Sequence, residues 1–364
     1  MSYLRTYEEI IALIDEIDPV AYARTRNHLS GAVTKLSPYI TRGIITLPQI
    51  RDRLLSRHRA YDCEKILQEL AWREYFQNVW WAKGEAIFTD LRFPRTDWEH
   101  HELVASITNA DTGIAVIDAA VKQLYTTGYL HNHERMWIAS IVCNGVKAHW
   151  FPMGQWMYYH LLDGDLASNF LSWQWVAGTS VSKQYTVNQA LINACSDISE
   201  TTWLSAPREE ALERVPESLY ITESPNTLTM EYGSIGETIP DILESTQLYT
   251  PWTLDPRWLV EGSVRKILII DPTWFDRFPV SSSVLDYIVR QGKLVIPELE
   301  VFVGTFAELP ITEQAVLHAK LHQTNQTWKN VSFTETERLH PHVTGYYPSF
   351  FAFQKAFTKS KPRR

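Results

Sequence analysis

Apolar residues recur at three- and four-residue intervals through the first 198 residues, from IIALIDEI near the start to FLSWQWVA, and glycine or proline closes most runs. That spacing lays one apolar stripe along each of a series of helices and predicts an all-helical domain over residues 1–198, with no period-two run inside it. The pattern then dissolves. SAPREEALERVPESLYITESPNTLTMEYGSIGETIPD is broken by prolines and polar residues, so 199–262 reads as an irregular connection. Beyond it β-branched runs return. VRKILIIDPTW stops at Asp-Pro, SSSVLDYIVRQGK is a serine-capped helix closing on Gly292, and KLVIPELEVFVGTFAEL favours strand, which predicts a small α/β domain over 263–364. The expected fold is mainly α, a helical domain followed by that α/β domain.

Several helical stripes are interrupted by charge. LLDGDLASNFLSWQWVAGT carries Asp163, Asp165 and Asn169 inside an apolar, tryptophan-rich run. A buried carboxylate without a partner costs several kcal/mol, so these residues either face water or meet something polar. ELAWREYFQNVWW places Glu69, Trp72, Arg73 and Phe76 on one helix face, where a partly buried ion pair is the plain explanation. TGYLHNHERMWIAS places Asn132, Arg135 and Met136 on another. His131 and His133 flank Asn132, but residues two apart do not share a helix face and no third ligand stands near, so no metal is expected. In TKLSPYITRG, Ser37 before Pro38 reads as an N-cap and first helical residue, and Gly31, Thr34 and Lys35 precede it. A helix start of this kind can receive phosphate oxygens, although most bind nothing.

Composition narrows the class. No run reaches the roughly 18 consecutive uncharged, predominantly apolar residues that a membrane helix needs, and the start of the chain does not read as a signal peptide, so a cytoplasmic protein is expected. Cys63, Cys143 and Cys195 are too few and too scattered for a disulfide framework, a cysteine zinc site or an iron–sulfur cluster. The net charge is −8, and residues 1–200 hold 18 basic against 22 acidic residues. Contact with nucleic acid would therefore need a local patch, for which Arg51, Arg53, Arg57 and Arg59 are candidates, unless they form an ordinary exposed basic face.

Five segments, in order and at matching spacing, resemble the flavin-binding helical domain of the DNA photolyase and cryptochrome family across about residues 15–193: Tyr22 with Arg26-Asn27, TKLSPYITRG, ELAWREYF, TGIAVIDAAVKQLYTTGYLHN and DGDLASNFLSWQW. The resemblance implies FAD as cofactor. It puts Tyr22 in the cofactor site, Thr34, Leu36 and Ser37 at the diphosphate, Arg73, Arg135 and Asp163 around the isoalloxazine, Asp165 at its polar edge and Asn169 nearest N5. It implies that Trp173, Trp150 and Trp98 pass electrons towards the flavin, Trp98 standing one residue from the outermost position by simple count. It also implies that Glu69, Trp72, Asn132, Met136 and Trp175 line a cavity for a flipped-out cyclobutane pyrimidine dimer.

On this reading the protein is expected to be a photolyase-like lyase that repairs dimers in DNA with reduced FAD and blue light, favouring single strands because the domain is acidic. The alternative is a cryptochrome-like photoreceptor that photoreduces FAD without repair and signals to a protein partner through the C-terminal domain. Departures from the family pattern bear on repair more than on flavin: Tyr129 stands for a tryptophan, Phe76 for a tyrosine and His133 for a cation that grips DNA phosphate. The family's usual N-terminal antenna domain is not recognised ahead of the helices, and residues 263–364 are either its rearranged counterpart or an unrelated fusion.

Overall fold

A computed structural model describes residues 3–262 and 265–359. In chain order its helices are α1 (Tyr7–Asp15), α2 (Pro19–Thr25), α3 (Ser37–Thr41), α4 (Leu47–Arg57), α5 (Ala60–Lys83), α6 (Ala105–Thr108), α7 (Ala115–Thr127), α8 (Asn132–Ser140), α9 (Trp150–His160), α10 (Leu166–Ala177), α11 (Gln189–Cys195), α12 (Arg208–Glu213), α13 (Pro272–Phe275), α14 (Ser282–Val295) and α15 (Phe350–Lys359). The strands are β1 (Leu103–Val104), β2 (Thr222–Glu223), β3 (Ser245–Tyr249), β4 (Arg265–Ile270), β5 (Leu299–Val303), β6 (Val316–Lys320) and β7 (Val331–Thr334).

The chain forms two compact units, and neither is a continuous stretch. One takes residues up to Ile17, Thr34–Ala60 and Thr229–Pro341; the other takes Asp18–Val33, Tyr61–Leu228 and the residues from His342 onward. The expected 1–198, 199–262 and 263–364 boundaries differ from this division because local pattern reports the element and not the neighbour it packs against.

The first unit is built on a parallel five-stranded sheet, among the described residues, in the order β5–β4–β3–β6–β7. Its first strand is central, with β4 on one side and β6 on the other, the arrangement of a doubly wound α/β fold. β3 lies inside the segment expected to be irregular. Its STQLY reads as polar, yet Gln247 is buried with its amide donating to Tyr249 Oη and the Trp258 carbonyl, so a satisfied polar side chain occupies a central strand. Ile242, Leu248, Ile267, Ile269, Leu317 and Ala319 form the core against the sheet. α1 packs Ile10 and Ile14 in this unit rather than in the helical one, and Gln291 of α14 exchanges two hydrogen bonds with the Arg5 backbone at 3.0 and 2.7 Å. The candidate basic patch is largely internal to the unit's own ion pairing. Arg53 grips Asp15 through two bonds, Arg57 lies 3.5 Å from Asp15, and Arg51 bonds Asp52 and the Leu339 carbonyl.

The second unit is helical apart from the β1–β2 pair, two residues on each side. α7 ends at Gly128, whose φ of +66° suits glycine and whose added Cβ would sit 2.5 Å from Leu162 Cγ. This close approach lets Leu162 N–H bond the Gly128 carbonyl, and so brings the 161–165 turn beside the start of α8. A π-turn over Ile141–Val146 and Lys147 at φ +59° redirect the chain from α8 into α9. α9 and α10 approach closely at Gly154, where a Cβ would meet Phe170 and Trp173 at 3.4–3.5 Å. α15, expected to belong with the α/β domain, packs in this helical unit through Phe350 and Phe353.

Candidate functional site

The carboxylates that interrupt the apolar run are buried and partnered. Asp163 accepts Arg135 Nη2 at both oxygens, 3.0 and 2.8 Å, and Arg135 is also anchored on the Leu130 carbonyl. Asp165 is the N-cap of α10: it takes Ser168 N–H at 2.7 Å on one oxygen and the Gln77 amide at 2.7 Å on the other, with Arg73 at 3.6 Å. Asn169 donates its amide to the Gly154 carbonyl at 2.9 Å. A carbonyl can only accept, so the nitrogen must point there, and Oδ1 is the atom left to receive a donor. Ser168 Oγ is a buried hydroxyl without a partner. Two guanidinium groups, two carboxylates, one amide oxygen and one unpartnered hydroxyl therefore converge around the start of α10. The set suits a planar ligand whose edge alternates N–H and C=O, such as a flavin ring.

Thr34, Leu36 and Ser37 belong to the first unit. There the helix begins at Ser37, and Leu36 is its N-cap with no side-chain hydrogen bond. The expected N-cap at Ser37 is thus one residue out, because Lys35 at φ +53° turns the chain early and places Ser37 inside the helix. Thr34 Oγ1 receives Leu36 N–H at 3.4 Å. Tyr22, in the helical unit, has its phenol pushed upward chiefly by burial, with the Glu69 charge adding to it.

α8 opens with a capping box in which Glu134 takes His131 N–H and the His131 ring takes His133 N–H. The two histidines hold the chain after α2, His131 Nε2 bonding the Arg26 carbonyl at 2.9 Å and His133 Nδ1 the Asn27 carbonyl at 2.6 Å. Burial pushes His131 down to about 4 and lowers His133 as well, so both are neutral donors near pH 7. Among the described residues no group of three or more histidine, cysteine or acidic side chains could hold a metal. Nor is any described helix long and apolar enough to cross a membrane.

The residues assigned to a lesion cavity are differently placed. Asn132 and Met136 meet, Nδ2 to Sδ at 3.6 Å, on one turn of α8. Glu69 is engaged by Lys65 at 2.7 Å and Arg26 at 3.6 Å. Trp72 is stacked by Phe350 of α15, with centroids 4.0 Å apart and planes 10° from parallel, and Phe350 is 2% exposed. Tyr75 Oη bonds the Tyr347 carbonyl at 3.2 Å and Arg92 the Pro348 carbonyl at 2.7 Å, which fixes the approach to α15. Between Trp72, Trp175 and Phe350 there remains a cavity of about 80 Å³. Trp175 tilts against Tyr185 at 5.7 Å.

The tryptophans lie elsewhere in the same unit. Trp150 and Trp173 are buried, Trp173 against Gly154. Trp98 packs edge-on to His149 at 5.1 Å, and His149 stacks on Trp150 at 5.4 Å, so aromatic rings connect the outer and middle tryptophans.

Sequence reasoning missed Gln77, Asp90 and Phe350. Gln77 continues the i, i+4 stripe of Glu69 and Arg73, and Phe350, Phe353 and Phe357 repeat at helical spacing, so both left a signal. Asp90, whose carboxylate accepts Trp150 Nε1–H at 2.7 Å, lies on a loop and left none.

A family model described as the FAD binding domain of DNA photolyase matches residues 66–200. A cryptochrome DASH of Gloeobacter violaceus is 29% identical over 174 residues, covering 43% of this chain and 33% of that protein. Deoxyribodipyrimidine photo-lyases of Streptomyces griseus and of a Synechococcus species are 32% identical over 165 residues and 38% over 120, covering 43% and 31% of this chain and 35% and 24% of theirs. The chain thus spans about a third or less of the length of these relatives. Among solved structures, a Synechocystis cryptochrome matches at 22% identity and a TM-score of 0.48 over 54% of this chain and 44% of its own.

Proposed function

Residues 66–200 belong to the DNA photolyase and cryptochrome family and bind FAD, and from that premise we propose that the chain is a light-driven electron-transfer flavoprotein of cryptochrome type, in which a tryptophan route through Trp150 and Trp173 reduces the flavin. When bound, FAD supplies a ring that takes an electron from an indole on photoexcitation, or gives one to a pyrimidine dimer when reduced. Arg73 and Arg135, which pair with Asp165 and Asp163, would hold the ring in place. Asn169, its nitrogen held by Gly154, offers an acceptor and no acidic proton at N5. Tyr22 and Gln77 support the same site from α2 and α5.

The observation that carries this reading over repair is Phe350 stacked on Trp72. A flipped base would need that face of the indole, which the Phe350 ring already covers. Repair of cyclobutane dimers is the second reading, favoured by the retention of Glu69, Trp72, Asn132, Met136 and Trp175. It requires α15 to leave. Under that reading single-stranded DNA is the better substrate, since His133 is a neutral donor to Asn27 and provides no permanent cation for phosphate.

Two measurements on FAD-loaded protein test these readings. Illumination with an external reductant should reduce the flavin, and Trp173→Phe should slow this sharply without loss of FAD; photoreduction at the wild-type rate in that variant rejects the tryptophan route. Loss of dimers from single- and double-stranded DNA under light, with the flavin fully reduced, should be absent from the wild-type chain; repair there would restore the photolyase reading.

A further inference from the structure

The three tryptophans assigned to one route stand in unlike electrostatic surroundings, and the contrast singles out a residue with no assigned role. Trp150 Nε1–H donates to Asp90 Oδ1 at 2.7 Å. Asp90 is held for this contact, since its other oxygen accepts Arg95 N–H at 3.1 Å. Trp98 meets the opposite environment. The Arg95 guanidinium lies 4.0 Å over its ring, and its indole N–H is buried without a partner. Arg95 cannot swing away easily, because it also bonds Asp97 through two nitrogens and the Cys143 and Ala177 carbonyls and Asn144 Oδ1 through the third.

A cation on an indole face opposes removal of an electron from that ring, and a carboxylate on its N–H favours it. Resting on the electron-transfer reading above, we propose that Asp90 makes Trp150 the resting place of the oxidising equivalent by taking its indole proton, so that the route ends functionally at Trp150 and Trp98 is not required. One electron leaves Trp150 by way of Trp173 for the oxidant, a photoexcited oxidised flavin; the Nε1–H bond of the resulting indole radical cation breaks; the proton passes to Asp90 Oδ1. A cation and a carboxylate become a neutral radical and a neutral acid. An external reductant then returns the electron, and Asp90 returns the proton. The imidazole stacked on Trp150 adds no competing charge, because burial holds His149 down to about 4. Its Nε2 lies 4.0 Å from the same Asp90 oxygen.

Asp90 takes the proton of the oxidised Trp150 itself, so the test reads the radical and not only the rate. In the dark, FAD-loaded chain, the Trp150 indole N–H resonance should lie downfield and move upfield in Asp90→Asn, where a neutral amide accepts in place of the carboxylate. After a flash, wild type should show a neutral indolyl radical by transient absorption and electron paramagnetic resonance, with slower formation in deuterium oxide. Asp90→Asn should show the radical cation instead, with a lifetime about tenfold shorter, the loss expected when one charge-assisted hydrogen bond becomes a neutral one. Asp90→Glu should restore the neutral radical, and Trp98→Phe should leave its yield within about twofold of wild type. If Trp150→Phe forms flavin radical pairs like wild type, the tryptophan route itself is wrong. If Trp150→Phe abolishes the long-lived pair while Asp90→Asn keeps the neutral radical, or if Trp98→Phe abolishes the pair, the role of Asp90 alone is overturned.

Discussion

The two sides of the helical unit that the family resemblance assigns to cofactor and to substrate are prepared to opposite degrees. On the cofactor side the charges are already arranged: Asp163 on Arg135, Asp165 on Gln77 and its own helix start, and Asn169 turned by Gly154 so that only its oxygen is offered. On the substrate side the aromatic wall is occupied by the chain itself, with Phe350 at stacking distance on Trp72 and Glu69 shared between Lys65 and Arg26. Pre-paired polar groups cost little to desolvate when a ligand arrives, whereas an aromatic face already stacked must first be uncovered. The same sequence motifs can therefore mark a ready site on one side and a closed one on the other.

The largest expected effect attacks the prepared side. Asp163→Ala leaves Arg135 without its carboxylate, and breaking one partner of a buried ion pair costs about 3–5 kcal/mol, equivalent to a loss of more than 100-fold in FAD affinity if the cost falls on the bound form. Purified variant protein should be nearly colourless, with FAD retention measured by absorbance after gel filtration. Full retention would mean that the pair is structural and lies apart from the cofactor.

Next in size is the closed side. Phe350→Ala removes a stack worth about 1 kcal/mol beyond its buried area and exposes Trp72, and should raise affinity for a dimer-containing single-stranded oligonucleotide by roughly fivefold by fluorescence anisotropy. Light-dependent repair that appears only in this variant would make the chain a photolyase with a covered cavity. Unchanged DNA affinity together with normal FAD content would show that more than one ring closes the wall.

These two sides were not equally legible in the sequence. Asp163, Asp165 and Asn169 announce themselves because a carboxylate in an apolar run demands a partner, and the partners Arg73 and Arg135 interrupt apolar stripes of their own. Phe350 gives no such signal: a phenylalanine at helical spacing states that it is buried, not where. Position in the chain misled for the same reason. Residues 342–359 follow the α/β segment and fall in the helical unit, while α1, far from the strands in sequence, falls in the unit that holds the sheet. β3 escaped because STQLY buries polar side chains that are satisfied locally, so the usual cue of an apolar run is missing. The existence of helices and sheet could be read from periodicity; their pairing could not, since neighbours distant in sequence leave no periodic trace.

A third change separates the fold from the site. Burial raises the Glu134 carboxyl from its ordinary 4.5 to about 7, above its unfolded value. The folded state therefore holds this proton more tightly, and ionisation of Glu134 lowers stability as pH rises from about 4.5 through 7. Burial moves His131 in the opposite sense, to about 4, so its contribution falls away as pH drops below its unfolded value near 6.5. Glu134→Gln keeps an acceptor for His131 N–H and removes only the ionisation cost. It should stabilise the chain by about 3 kcal/mol at pH 8 and by little near pH 4.5, by chemical denaturation at both pH values. An equal gain at both would locate the effect in packing.

The smallest expected effect tests whether the prepared side depends on its least conspicuous member. Gln77 donates to the same Asp165 oxygen that Arg73 approaches at 3.6 Å, while the other oxygen is committed to Ser168 N–H. Removing the amide leaves a buried carboxylate with one hydrogen bond and one longer ion pair, and a hydrogen bond to a charged group contributes about 1.5–3 kcal/mol. Arg73 can close part of that gap by moving in, so Gln77→Ala should weaken FAD binding by about 1 kcal/mol, roughly fivefold, with the thermal midpoint of the FAD-free protein little changed. Measured by titration with FAD, a loss as large as that of Asp163→Ala would place Gln77 in direct contact with the ring. No loss would mean that Arg73 alone suffices to hold Asp165, and the difference between the two sides would then rest on the ion pairs without help from the neutral amide.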